Sequence, residues 1–308
     1  SLVPMVYYHV WDNYPYPKFN REFYESNDVV VAISKVTHDI VETVAPETES
    51  HYLPHAVNEK IFKKLDPSEY KDFAKDHGYG DKFTFFWNNR NARRKQSGTL
   101  IWWFKEFLDE IGNDKARLVM HTDPSDPHGQ NLTVLLNELG LTKGEVLISN
   151  QKIPPAVLNF MYNASDCTIN ISDAEGFGLA TLESLSAGTP IIVNMTGGLQ
   201  EQVTDGESWF GVGIEPASKC VIGSQEVPYI YEDRICKEDF LNALKQIYNM
   251  SQEERDQLGE AGIEHVRKNY NFENYQKTWA DIMEDIHERH GSWETRKGYK
   301  SWHIMEVE

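Results

Sequence analysis

Short apolar runs return along the chain at residues 29–33, 83–87, 117–121, 146–149, 167–171 and 191–194, and helix-like stretches near 98–111, 131–139, 154–162 and 179–187 lie between them. Short apolar runs alternating with helices of about ten residues predict βαβ units joined into a mainly parallel sheet with helices on both faces. Pro154 and Pro155 open one of these helices well, because the first turn has no partner for their missing N–H. The C-terminal third is more polar and reads as helices over 238–249, 252–268 and 272–289. The last stretch, 291–308, carries Trp293, Tyr299 and Trp302 without a clear period, so it is assigned no element.

Composition narrows the picture. A chain of 308 residues allows about two domains, and 40% hydrophobic with 12% aromatic residues can bury a sizeable core. Thirty Lys and Arg stand against 48 Asp and Glu, a net charge of -18. This excludes a nucleic-acid binder, whose affinity rests on basic contacts to phosphate, and also electrostatic docking on anionic lipid. Cys167, Cys220 and Cys236 are odd in number and lack metal-ligand spacing, so neither a disulfide framework nor a zinc site is indicated. Cys167 reads as inert core within a buried strand. No run of ~18 apolar residues predicts a transmembrane helix. The first residues lack a basic n-region, so a cytoplasmic setting is expected. The sequons at Asn170 and Asn194 fall in or beside predicted core strands and read as chance matches.

The chemistry concentrates in Asp173-Ala-Glu175-Gly-Phe-Gly-Leu-Ala-Thr-Leu-Glu183-Ser-Leu-Ser-Ala-Gly188-Thr-Pro190. Gly188 past a helix end and Pro190 soon after are stop signals, through left-handed backbone freedom and a missing N–H. Glu175 is therefore placed in the loop before a helix, and Glu183 about two turns inside it. The free N–H groups at that helix start can hold an anion. An anion site flanked by two carboxylates suits a phosphorylated, hydroxyl-rich ligand, and a nucleotide sugar is the obvious candidate.

This motif resembles the Glu-x7-Glu signature of retaining glycosyltransferases with the GT-B fold, specifically glycosyltransferase family 4. Three further segments carry the resemblance, in the expected order. Pro54-His-Ala-Val57 followed by Asn58-Glu-Lys-Ile-Phe62 looks like the family's interdomain segment, although His55-Ala56 replaces the usual Gly. The run from Phe83 through Arg90 to Lys95 looks like its "strand, G-R, four residues, K-G" loop, with Asn89 and Gln96 in place of the two glycines. Gly197-Gly198-Leu-Gln-Glu201 looks like its "G-G-x-x-E" turn. The similarity spans roughly residues 29 to 275.

The resemblance implies roles. Glu183 would bind ribose, and Glu175 would contact the donor sugar's hydroxyls near the reacting face. The backbone of Gly176, Phe177 and Gly178, with Leu179 opening the helix, would approach the ligand closely. Arg90 and Lys95 are the diphosphate candidates, a planar fork and a point charge in a loop after a strand; Arg93 and Arg94 add charge beside them and are open substitutes. Gly197 and Gly198 would wrap N–H groups around the β-phosphate with Thr196 as a hydroxyl donor, while Glu201 reads as structural. Ile153 lies in the loop that usually contacts the base. His9 sits where the family often has a His or acid at the interdomain cleft; a catalytic contact and a structural histidine both stand as readings, and Asp12 and Asn13 are weaker candidates. No metal and no cofactor is called for, since cations and a helix N-terminus can neutralise the leaving diphosphate.

The expected fold class is α/β of GT-B type: a Rossmann-like parallel sheet with helices on both faces, and a truncated or reduced N-terminal Rossmann-like domain. Residues 1–53 read as a remnant of the acceptor-side domain, 54–270 as the nucleotide-sugar domain, and 271–308 as a helix and tail packing back toward the N-terminal part. About fifty residues are too few for a doubly wound domain. Either an N-terminal half is absent from the chain, favoured because residues 3–9 begin as if in mid-strand, or the acceptor domain is reduced. The expected function is retaining sugar transfer from a nucleoside diphosphate to a hydroxyl of a glycan, lipid or small-molecule acceptor. A nucleotide-sugar-binding half that is inactive alone is the alternative, and a sugar-nucleotide epimerase a more remote one.

Overall fold

The computed structural model describes residues 3–292 and 294–297, so Trp293, Tyr299 and Trp302 lie outside the described residues. Two parallel sheets organise the chain. The first is β1 (Val6–His9), β2 (Val29–Ala32) and β3 (Ser50–Tyr52), in the order β1-β2-β3. Helices α1 (Arg21–Glu25) and α2 (Lys35–Val44) complete this N-terminal unit. The sequence pattern placed no helix at α2, yet Thr37, Ile40, Val41 and Val44 share one buried face, and Ser34 caps it by accepting from Thr37 N.

The second sheet has six strands. After α3 (Pro67–Asp76) come β4 (Phe83–Asn88), α4 (Ser97–Ile111), β5 (Ala116–His121), α5 (Leu132–Glu138), β6 (Val146–Ser149), α6 (Pro155–Asn163), β7 (Cys167–Asn170), α7 (Leu179–Ser186), β8 (Ile191–Asn194), α8 (Leu199–Val203) and β9 (Gly211–Ile214). The spatial order is β6-β5-β4-β7-β8-β9, all parallel. All the strands of β4–β9 except β9 match the predicted runs. β9 was missed because two of its four residues are glycine, which carries no apolar signal.

Core packs on both faces of this sheet. On one face Phe85, Trp87, Leu118 and Ile169 meet Phe104 and Leu108 of α4 and Phe240 and Leu244 of α9 (Lys237–Asn249). On the other Phe86, Val119 and Val193 meet Tyr162, Leu182, Leu199 and Val266, the last from α10 (Gln252–Asn269). Between β9 and α9 a two-stranded antiparallel hairpin stands apart, β10 (Ser218–Ile222) with β11 (Ile230–Arg234). The last helix, α11 (Phe272–His290), returns to the N-terminal sheet: Tyr275, Trp279, Ile282 and Ile286 pack against Tyr8, Val29, Val31 and Leu53. Arg289 fixes its end with two bonds to Glu49, at 2.7 and 2.8 Å. Among the described residues no helix is long and apolar enough to cross a membrane.

The strand order reverses between β4 and β7, which are neighbours in space but not in sequence. These two pair at only two positions, Phe85 with Cys167 and Phe86 with Thr168, whereas β4 and β5 pair at six. Their carboxyl ends therefore diverge. In open α/β sheets this switch point is where ligands bind.

Candidate active site

Two loops meet at the switch point. The one after β4 runs through a tight turn at Arg93–Lys95 into α4, with Gln96 held in a left-handed conformation at φ 56°. The one after β7 carries Asp173 and Glu175 into α7. Asp173 N donates to Arg94 O at 2.8 Å and joins the two.

Glu175 and Lys95 are each 7% exposed. Lys95 Nζ donates to Glu175 Oε2, and Asn170 Nδ2 reaches the same oxygen at 3.3 Å. Arg94 lies 3.9 Å from Glu175 Oε1 and donates to the Ala174 carbonyl. Burial pushes the Glu175 carboxyl up, but Lys95 and Arg94 outweigh it and hold the group below its ordinary range. The site is thus an ionised carboxylate against two cations, with Glu175 and Lys95 out of water and Arg94 partly exposed beside them. Asp12, on the loop after β1, faces the same charges: burial raises its carboxyl to about 6, with Arg94 and Lys95 pulling it down and Glu175 pushing it up.

Close approach explains the glycines. Gly197 is left-handed at φ 50°, and a Cβ there would collide with the Glu175 carbonyl oxygen. Gly198 N donates to that carbonyl at 3.0 Å, and a Cβ on Gly198 would sit 2.7 Å from Phe177 Cα. The turn after β8 is therefore laid directly on the turn before α7. Gly176 meets Val10 of the N-terminal unit in the same way. Phe177 points inward among Leu182, Leu199 and Tyr270. Gly178, at φ 92°, is the N-cap of α7, and Leu179 at its first position is 46% exposed. The helix thus begins at the surface with first-turn N–H groups that no helical carbonyl can satisfy.

About one turn into α7 (Leu179–Ser186), a turn nearer its start than the sequence pattern predicts because Leu179 already opens the helix, Glu183 Oε2 accepts from Tyr162 Oη at 2.7 Å, and Tyr162 Oη accepts from Asn88 Nδ2 at 2.9 Å. Asn88 ends β4 in the same register row as His121 of β5 and Ser149 of β6. Burial raises the Glu183 carboxyl to about 7, and the Tyr162 hydroxyl opposes this. A ligand that donates hydroxyls to this carboxylate favours its ionised form, so its affinity rises with pH through about 7 and binding lowers the pKa. Nucleoside-diphosphate affinity measured at pH 6 and pH 8 in wild type and Glu183→Gln checks this. The titration of the diphosphate itself is common to both, so the expected result is a steeper rise in wild type; parallel curves would contradict it.

The other predicted residues fall as follows. Arg90 is exposed and turned to the loop after β5, donating to Asp126 at 2.6 Å and sitting 2.6 Å from His128 Nδ1, so Arg94 is the arginine beside Glu175. His9 is buried, and its Nε2 lies 3.0 Å from Tyr24 Oη inside the N-terminal unit, while Nδ1 has no hydrogen-bond partner among the described residues. Thr196 Oγ1 donates to Asp233 at 2.7 Å. Ile153 lines a cavity of about 420 Å³ with Ser149, Asn150 and Val157, beside the end of β6. Glu201 accepts from Lys35 N and Tyr52 Oη, both at 2.6 Å, and so ties α8 to the N-terminal unit.

The sequence pattern gave no warning of the hairpin's part. Arg234 bonds Asp173, and Glu232 receives Arg93 through two bonds of 2.6 and 2.8 Å. Asn13 Nδ2 donates to Tyr231 O at 2.6 Å, so the hairpin also holds the Asp12 loop. A larger cavity, about 990 Å³, opens at the opposite edge of the sheet, where Phe83 begins β4 and Pro190 precedes β8. It lies away from the carboxyl ends of the strands, and Glu175, Lys95 and Arg94 do not line it.

Comparison with known proteins agrees with this geometry. The family model described as glycosyl transferases group 1 matches residues 72–265. The D-inositol 3-phosphate glycosyltransferase of Acidothermus cellulolyticus is 38% identical over 105 residues, 33% of this chain and 23% of that protein. The N-acetyl-alpha-D-glucosaminyl L-malate synthase of Bacillus anthracis is 22% identical over 233 residues, 75% of this chain and 58% of that protein. The chain thus spans less than two thirds of these relatives. Among solved structures, the sucrose-phosphate synthase of Thermosynechococcus elongatus superposes with a TM-score of 0.70 at 21% identity, covering 87% of this chain and 61% of that one. Anabaena HepE in complex with UDP and glucose gives 0.71 at 14% identity, covering 91% and 71%. The α/β fold is that of GT-B glycosyltransferases, and the chain belongs to the family of glycosyl transferases group 1.

Proposed function

We propose that the chain is a retaining glycosyltransferase of family 4 that moves a sugar from a nucleoside diphosphate to an acceptor hydroxyl. The observation that carries this reading is the pairing of Glu175 with Lys95 and Arg94 at the switch point, with Glu183 about one turn into α7. In this reading Glu183 accepts the ribose hydroxyls and Glu175 holds the sugar. Lys95 and Arg94 turn from Glu175 to the diphosphate, joined by the α7 start at Gly178 and Leu179 and by Gly197 and Gly198. Thr196 joins them on leaving Asp233. Arg90 is assigned to the rim, since Asp126 and His128 hold it, and Ile153 to the base side. We assign His9 to holding β1 and the Asp12 loop, because its bond runs to Tyr24. The bond from the anomeric carbon to the diphosphate breaks as the acceptor oxygen attacks on the same face, and the leaving diphosphate takes the acceptor proton.

The expected domain division stands as part of this proposal: 1–53 on the acceptor side, 54–270 binding the donor, and 271–308 returning to the first unit. The acceptor in this proposal is a hydroxyl of a glycan, a lipid or a small molecule. A second reading, a donor-binding half that does not transfer alone, draws on the contrast between three strands in the first sheet and six in the second. A thermal-shift series with UDP, GDP, ADP and CMP, each about 100-fold above its dissociation constant, tests the donor site. One of the diphosphates should add roughly 2.7 kcal/mol of stability. Flat melting curves across the series would remove the nucleotide site. We further propose metal independence, because two cations and a helix start face the diphosphate; loss of turnover in millimolar EDTA would overturn it.

A further inference from the structure

Tyr162 is fully buried on α6, away from the charged cluster around Glu175. Its ring is wedged between Phe86 and Phe62, at centroid distances of 5.2 and 6.1 Å, and its carbonyl accepts from Thr189 Oγ1 at 2.8 Å. This side chain has no freedom to reorient. Its hydroxyl meets two groups, Asn88 Nδ2 at 2.9 Å and Glu183 Oε2 at 2.7 Å. A phenol has one hydrogen to give. Because the Asn88 amide already donates to Tyr162 Oη, that hydrogen is directed onto Glu183. Oε2 is thereby occupied, while Oε1 takes no protein hydrogen bond among the described residues.

We propose that Asn88 and Tyr162 form a positioning relay that presents Glu183 Oε1 to the ribose hydroxyls of the bound nucleotide. The inference rests on the donor reading above and goes beyond it, by naming residues that set the selectivity for ribose over deoxyribose. Neither residue touches the ligand. Tyr162 fixes the plane of the carboxylate, and Asn88 fixes the direction of the Tyr162 hydrogen. Without the Tyr162 bond the half-buried carboxylate would sample more than one rotamer, and the ribose would have to order it on binding.

The test compares each of UDP, GDP and ADP with its 2′-deoxy counterpart by titration calorimetry, in wild type, Tyr162→Phe and Asn88→Ala. The diphosphate that binds wild type best defines the pair. Wild type should prefer the ribonucleotide by about tenfold, the worth of one hydrogen bond to a charged group. Tyr162→Phe should weaken the ribonucleotide while leaving the deoxynucleotide nearly unchanged, so that the preference collapses toward about twofold. Asn88→Ala, which leaves the buried ring in place, should move it the same way. A merely structural role would weaken both nucleotides together. Unchanged preference in both variants, or equal loss for ribo and deoxy forms, would overturn the relay while leaving the donor site standing. If no diphosphate binds wild type, the donor reading itself falls, and the relay falls with it.

Discussion

Glu175→Gln lowers turnover by roughly a hundredfold while nucleoside-diphosphate affinity changes by less than about threefold, as for loss of one preorganised polar group in a reacting site. The substitution keeps shape and removes charge. In the wild type the carboxylate is ionised because Lys95 and Arg94 outweigh its burial. A glutamine still accepts one bond from Lys95 but turns an NH2 group toward the other cation or Asn170. The sugar hydroxyls lose a charged acceptor, which is worth about 1.5–3 kcal/mol, and the cations lose the counter-charge that orients them. Diphosphate binding draws on Lys95, Arg94 and the α7 start, all still present. Single-turnover rates and diphosphate titrations on the same variant separate the two effects. Equal loss in both would place Glu175 among the phosphate contacts; no loss in turnover would remove it from the site.

Lys95→Met destabilises the protein by about 3 kcal/mol at pH 8, because it leaves a buried carboxylate short of its closest cation. The melting temperature should fall by roughly 5–10 °C. Asn170 and the more distant Arg94 remain, which keeps the loss at the lower end for a broken buried pair. The pH dependence follows from the sign of the shift. In wild type the Glu175 pKa lies below 4.5, so its contribution is present above 4.5 and is lost as pH falls through the folded value. In the variant burial is less opposed and the pKa rises, so the carboxylate takes up a proton more readily and the deficit shrinks as pH falls toward 5. Lys95→Met combined with Glu175→Gln should melt above Lys95→Met alone, since it removes the stranded charge. A single variant that melts like wild type would mean that Lys95 is not paired in solution.

The fold was largely readable because a doubly wound sheet writes itself as apolar runs. β4, β5, β7 and β8 are buried on both faces, and each appears as a mainly hydrophobic stretch. What escaped lacked that signal. β3 is three half-buried residues, Ser50 to Tyr52, and the hairpin strand Ser218–Ile222 is exposed along nearly its whole length. The helix Pro67–Asp76 buries no residue fully, although its capping box at Asp66 and Glu69 was there to be read.

The candidate site was legible where backbone dictates residue type. Gly197 and Gly178 are glycines because of left-handed torsions and close loop contact, and such demands leave a motif. Glu175 and Glu183 are singled out by their spacing, and the structure places the first in the loop before α7 and the second on that helix. Arg94 over Arg90 was not legible, because a spacing rule counts residues and cannot see that Arg90 turns to Asp126. Tyr162 reaches the site from a distant segment, and only the tertiary fold brings it there, as it brings Asp12, a weaker sequence candidate, to the charges around Glu175.

The most direct test of the central claim is proton NMR of the first sugar released when the wild-type chain is given α-linked nucleotide sugars carrying UDP, GDP or ADP, with water as the acceptor. The account predicts slow loss of one donor, and that the first free sugar is the α-anomer, before mutarotation mixes it. Release of the β-anomer would contradict retention, and donors that stay intact while the diphosphate binds would leave a binding half rather than an enzyme.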